Sequence, residues 1–126
     1  MTAIPEPAPQ DARDRQRRGA LLIDVREPHE HATGMAEGAL ALPMGALLAD
    51  PGTHLPHRDA AILLICQSGR RSMIAATALA EQGYADVASV AGGTARWIAE
   101  GLPTVAGFNQ YRISHDDSTS KGPLAS

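Results

Sequence analysis

The chain has 126 residues, 14 acidic and 11 basic side chains, and a formal net charge of −3. Its single cysteine excludes an internal disulfide and a Cys-rich metal cluster, and the acidic balance gives nucleic-acid binding no general support. A chain this long makes one domain, which buries roughly two-thirds of its unfolded surface without metal or disulfide staples.

Residues Met1 to Pro7 lack the basic start and apolar stretch of a signal peptide, and no apolar run approaches a membrane span. With one unpaired thiol, the expected compartment is the reducing cytoplasm, with no membrane partner.

Pro5, Pro7 and Pro9 keep the first ten residues extended, and Asp11 is placed to cap a short helix through about Arg18. Arg13, Arg15, Arg17 and Arg18 on that helix are diluted by Asp11 and Asp14, so they read as a solvated face or a local docking patch. Ala20-Leu21-Leu22-Ile23-Asp24-Val25 is too continuously apolar for a strand with one wet face, and predicts a central parallel strand. A loop rich in Glu, His and Gly runs to Gly38. Ala39 to Pro43 is a short strand closed by proline, and Met44 to Leu48 a helical turn or two.

Pro51-Gly52 and Pro56 mark an irregular stretch before a second central strand, Ala61 to Ile65. A helix is predicted from Arg70 to Gln82, with Ile74, Ala75, Ala78 and Leu79 inward. Asp86 to Val90 is a third strand, followed by a helix from Thr94 to about Glu100 with Trp97 and Ile98 inward. Strands alternating with helices at this spacing mean a small α/β sandwich with parallel strands. Phe108 to Ser126 turns polar after Ile113 and predicts an ordered first half with a frayed end. No GxGxxG, Walker, EF-hand or HExxH pattern occurs, so no cofactor is expected.

The chemistry concentrates where the second strand ends. Cys66 follows Ile62-Leu63-Leu64-Ile65 and opens Gln67-Ser68-Gly69-Arg70-Arg71-Ser72, which leads into the helix. A thiol between a buried strand and a Gly-containing turn sits where backbone N–H groups converge, and such a nest stabilises a thiolate. Arg70 and Arg71 add positive potential. This is a nucleophile's environment.

Four blocks resemble the rhodanese homology domain in its single-domain sulfurtransferase form. They are Leu22-Ile23-Asp24-Val25-Arg26-Glu27 with Glu30; Gly38-Ala39-Leu40-Ala41-Leu42-Pro43; Ile65 to Ser72; and Val90-Ala91-Gly92-Gly93-Thr94-Ala95-Arg96-Trp97, closed by Gly101-Leu102-Pro103. They lie in family order over about residues 20–105, with 1–19 leading in and 106–126 an extension expected to be partly flexible. Gly34-Met35-Ala36 stands where the family usually has Gly-His-Ile. The resemblance implies a three-layer sandwich: a central, mainly parallel sheet with helices on both faces.

It also implies sulfur transfer. Cys66 would take the outer sulfur of thiosulfate or a related persulfide donor and hold it as Cys–S–S⁻, facing the N–H groups of Gln67 through Ser72. Gly69 either supplies a turn geometry closed to other residues or makes an ordinary tight turn. Ser68 offers a hydroxyl to the persulfide or simply lines the loop. Arg70 faces the mouth and attracts the anionic donor, while Arg71 either joins it or turns back to pair with Asp24 as scaffold. Ser72 most simply caps the helix. One cysteine leaves no internal resolving thiol, so the acceptor is external: cyanide in an assay, a small thiol or a partner protein's cysteine in a cell.

Other readings are weaker. His29 and His31 alternate with Glu27 and Glu30 without a third ligand at a regular offset, which favours a solvated loop or pocket lining over a metal site. A phosphatase or arsenate reductase needs an arginine six positions after the cysteine, and Ser72 holds that position. A binding or regulatory module of the same fold, or a sulfur carrier for a protein partner, stays as the alternative.

Overall fold

The computed structural model describes residues 3–106; the expectation for the stretch beyond, Phe108 to Ser126, lies outside the described residues. The chain runs α1 (Pro9–Arg17), β1 (Leu21–Asp24), α2 (Pro28–His31), β2 (Met35–Ala36), β3 (Leu40–Ala41), α3 (Met44–Ala49) and α4 (Pro51–His54). It continues through β4 (Ala61–Ile65), α5 (Arg70–Glu81), β5 (Asp86–Ser89), α6 (Gly93–Ala99) and β6 (Thr104–Val105). Among the described residues no helix is long and apolar enough to cross a membrane.

The main sheet has four parallel strands in the order β3-β1-β4-β5. Its continuous apolar runs follow from burial on both faces. Along β4, Ile62, Leu64 and then Cys66 pack with Ala75, Ala76 and Leu79 of α5. Leu63 and Ile65 turn the other way, toward Ala12 of α1 and Trp97 of α6. The α/β sandwich with helices on both faces is the predicted architecture. After β1 the chain turns outward to β3 and then returns across β1 to β4, so β1 and β4 flank the point where the strand order reverses. In open parallel sheets the crevice beyond the carboxyl ends of such strands is where ligands bind. Asp24 pairs in register with Ile65 there, placing the residues after β1 beside Cys66.

The amino-terminal segment is extended up to Ala8, as its prolines require, and α1 starts at Pro9 rather than beyond Asp11. Its carbonyls serve the edge of the sheet: Pro5 accepts from Ser89 N–H at 3.0 Å and Pro7 from Ala91 N–H at 2.9 Å. Arg13 and Gln16 both reach Glu37, so part of the arginine-bearing face of α1 is tied down rather than solvated.

Two helical phases differ from expectation. In α5 the buried residues are Ser72, Ala75, Ala76 and Leu79, a phase that leaves Ile74 58% exposed and Ala78 half-buried. In α6 Gly93, Thr94 and Trp97 face inward and Ile98 is 55% exposed. Trp97 is fully buried and donates its ring N–H to Pro103 O at 2.8 Å. The Glu-His-Gly loop contains α2, held by a capping box between Glu27 and Glu30, and β2, which pairs antiparallel with β6.

Candidate functional site

Cys66 is the first residue after β4, 1% exposed, and its sulfur points toward the start of α5. Gly69 N–H donates to Sγ at 3.1 Å, and the Ser72 hydroxyl lies 3.4 Å from Sγ. Burial pushes the Cys66 thiol up. The Ser72 hydroxyl and the peptide N–H groups of Ser72, Gly69 and Ser68 outweigh that and bring it below its ordinary value. Of the N–H groups from Gln67 to Ser72 expected to face the sulfur, those of Ser68, Gly69 and Ser72 act on it.

Gly69 occupies the N-cap position of α5 with φ +105°, a left-handed conformation that side chains disfavour. A Cβ there would meet only ordinary contacts, so the backbone angle, not space, calls for glycine. Gly93 answers a different need. A Cβ on it would come within 2.6 Å of the carbonyls and backbone of Cys66 and Gln67. This close approach lets α6 brace the loop: Thr94 donates through N–H (2.8 Å) and Oγ1 (3.0 Å) to Cys66 O, and Ala95 N–H donates to Gln67 O at 3.1 Å.

Two assignments from the sequence need correction. Arg71 does not pair with Asp24. Its guanidinium forms a two-point bridge to Glu30, at 2.7 and 2.8 Å, linking α5 to α2. Asp24, fully buried, is held by Arg26, two residues on and on the same side of the extended chain. Arg26 Nε and Nη2 reach the Asp24 carboxylate at 2.9–3.2 Å, and its N–H donates to Asp24 Oδ1 at 3.0 Å. The rest of the Arg26 guanidinium donates to Gly34 O at 2.7 Å and Gln67 Oε1 at 3.1 Å, tying the Asp24 cluster to the cysteine loop. Ser72, the second correction, does not cap the helix. It sits inside the first turn of α5, fully buried, with its hydroxyl on Cys66 and on Ser89 at 2.7 Å.

Gln67, Ser68 and Arg70 are exposed around the loop. His29 is exposed; His31 is buried against Asp24, its Nε2 3.1 Å from Asp24 O and 3.4 Å from Oδ1, and so leaves the solvated loop. Arg26, His31 and Ser89 are the site's neighbours that motif reading did not assign. The Asp-x-Arg spacing at a strand end was the available signal for the first.

The Arg71 guanidinium beside Glu30 holds its carboxyl well below the ordinary 4.5, at about 2. Because the folded value is depressed, the pair's stabilisation is complete above about 4.5 and is lost as pH falls toward 2. The side chains are 22% and 34% exposed, so solvent screening limits the pair to about 1 kcal/mol. Glu30→Gln is expected to lower stability by that amount near neutral pH, with the gap to the wild type closing below pH 4.5. Urea unfolding at pH 7 and pH 3 measures both; a gap unchanged by acid would refute the pairing.

A family model for rhodanese-like domains matches residues 8–100. A sulfurtransferase of Allochromatium vinosum is 42% identical over 86 residues, covering 68% of this chain and 78% of its own. Thiosulfate sulfurtransferase 16 of Arabidopsis thaliana is 36% identical, covering 70% of this chain and 82% of its own. Among solved structures, a rhodanese-related protein of Thermoplasma volcanium superposes with a TM-score of 0.71 at 29% identity, covering 81% of this chain and 98% of its own. The human single-domain sulfurtransferase does so at 0.68 and 25%, covering 78% and 98%. With this fold and these relatives, the chain belongs to the rhodanese-like domain family and is related to its thiosulfate sulfurtransferases.

Proposed function

We propose that this protein moves a sulfane sulfur from thiosulfate or a related persulfide donor to a thiophilic acceptor through a persulfide on Cys66. The observation that carries the reading is a buried cysteine whose thiol is drawn down despite burial, by a peptide N–H at 3.1 Å and a hydroxyl at 3.4 Å. The Cys66 thiolate attacks the outer sulfur of thiosulfate; a Cys66–sulfur bond forms, the donor's S–S bond breaks, and sulfite leaves with the electron pair. The acceptor's lone pair then attacks the terminal sulfur and the Cys66 thiolate departs, so each cycle restores the starting charge. The N–H dipoles of Ser68, Gly69 and Ser72 already favour charge on the sulfur and need little reorganisation as it develops.

In this reading Arg70, exposed on the first turn of α5, draws in the anionic donor, while Arg71 has its charge balanced by Glu30. The acceptor is external, because the chain has one cysteine: cyanide in vitro, a small thiol or a partner protein's thiol in a reducing cytoplasm. The relatives named as sulfurtransferases support the same reaction class.

The test is direct. Incubation with thiosulfate is expected to add about 32 Da at Cys66, one sulfur held covalently on the nucleophile. Cyanide should then remove it with release of thiocyanate. A folded protein whose thiol alkylates normally yet gains no sulfur from thiosulfate or a low-molecular-weight persulfide would overturn the proposal.

A further inference from the structure

Behind the cysteine lies a second layer of polar atoms that the reaction scheme does not use. Ser89, the last residue of β5, and Ser72 are both fully buried, with their hydroxyls 2.7 Å apart. Ser89 Oγ is also 3.5 Å from Gly69 O, the carbonyl at the N-cap of α5. The four groups form a line: Cys66 Sγ, Ser72 Oγ, Ser89 Oγ, Gly69 O. A helical serine or threonine ordinarily turns its hydroxyl back onto a carbonyl of the preceding turn. Thr77, on the same helix, does this, donating to Met73 O at 2.8 Å. Ser72 is instead directed at the sulfur.

We propose that Ser89 is a positioning residue for the reaction at Cys66, holding the Ser72 hydroxyl on the sulfur and letting it follow the sulfur's charge. With Sγ uncharged, Ser72 donates to Ser89 and Ser89 to the Gly69 carbonyl. With a thiolate, both hydroxyls rotate: Ser89 donates to Ser72 and Ser72 to Sγ. No heavy atom moves, and the two serines neither gain nor lose a proton. The same reversal serves sulfur transfer, since charge leaves Sγ for the terminal sulfur when the persulfide forms and returns when it is consumed. The proposal therefore rests on the persulfide reading above, but its test does not require turnover.

The thiolate of this single-cysteine protein is titrated by its ultraviolet absorbance, with melting temperatures recorded for each variant. Ser72→Ala, which removes a donor to a charged acceptor, is expected to raise the midpoint by about one pH unit. Ser89→Ala frees Ser72 to turn back onto its helix and is expected to raise it by about half a unit. The double variant should move no further than Ser72→Ala alone, because Ser89 acts only through Ser72. Ser89→Thr, which keeps the hydroxyl, should leave the midpoint at the wild-type value. Arg71, the cation whose charge couples to Cys66, is paired with Glu30 and is left unchanged in every variant. An unmoved midpoint in folded Ser89→Ala, or additive shifts in the double variant, would overturn the proposal. A wild-type protein that titrates as expected yet takes up no sulfur would refute the sulfurtransferase reading, and with it Ser89's part in sulfur transfer, while the titration shifts alone would still show Ser89 holding Ser72 on the thiolate.

Discussion

Cys66→Ser is expected to reduce thiosulfate-dependent thiocyanate formation to the uncatalysed background. A serine hydroxyl does not ionise near neutral pH, so the nest has no anion to stabilise and the donor's sulfur meets no nucleophile. The fold should survive, because a serine oxygen still accepts from Gly69 N–H, the donor now 3.1 Å from sulfur. A melting temperature within a few degrees of the wild type, together with lost turnover, is the expected pair of results. Because the loop's donors pull the thiol down, the wild-type activity should persist below the free-thiol value of roughly 8.5, and its alkylation midpoint should fall below that value too. Turnover retained by Cys66→Ser would remove Cys66 from the chemistry, and a midpoint at or above the free-thiol value would mean that the loop does not draw the thiol down.

The largest expected loss of stability comes from Asp24→Ala. It leaves the Arg26 guanidinium, 2% exposed, without the carboxylate that takes three of its hydrogen bonds. An uncompensated buried charge costs about 3–5 kcal/mol, whereas replacing both partners with apolar residues of similar volume is often close to neutral. For a domain of this size that means a fall in Tm of about 10 °C or more. Adding Arg26→Met to Asp24→Ala should therefore recover part of the loss. Activity should suffer as well, since Arg26 carries the contact from the Asp24 cluster to Gln67 Oε1. A change in Tm of only a degree or two for Asp24→Ala would show that water reaches Arg26, and would sink the account of this cluster as a dry support.

The central strands were legible because burial on both faces leaves little room for polar residues: Leu22-Ile23 and Ile62 to Ile65 announce themselves. The cysteine loop was legible because a thiol, a glycine and a helix start coincide within a few residues. Contacts across the fold were not. Arg26 and Arg71 were both chemically able to pair with Asp24, and only the positions of β1, α2 and α5 decide that Arg26 takes it while Arg71 goes to Glu30. Ser89 lies within Val87-Ala88-Ser89-Val90, where a lone serine breaks no pattern, and its meaning comes from Ser72, seventeen positions earlier in the chain. β2 and β6 hold two residues each, too few to show a period of two. Hydrophobicity points Ile74 and Ile98 inward, but Ala76 and Thr94 take the buried positions, where small side chains let each helix lie close to its face of the sheet.

The bracing of the loop by α6 makes the reactivity of the thiol depend on a segment well separated from it along the chain. The carbonyls of Cys66 and Gln67 are fixed by Thr94 and Ala95, each 28 positions further along the chain. With that segment undocked the loop keeps its hold on Arg26 and α5 but loses the brace on its carbonyls, so the N–H groups that draw the thiol down are held less firmly. A chain with α6 undocked is thus expected to be chemically quieter, with less thiolate available at neutral pH. The rate of Cys66 alkylation becomes a gauge of whether α6 is docked against the loop.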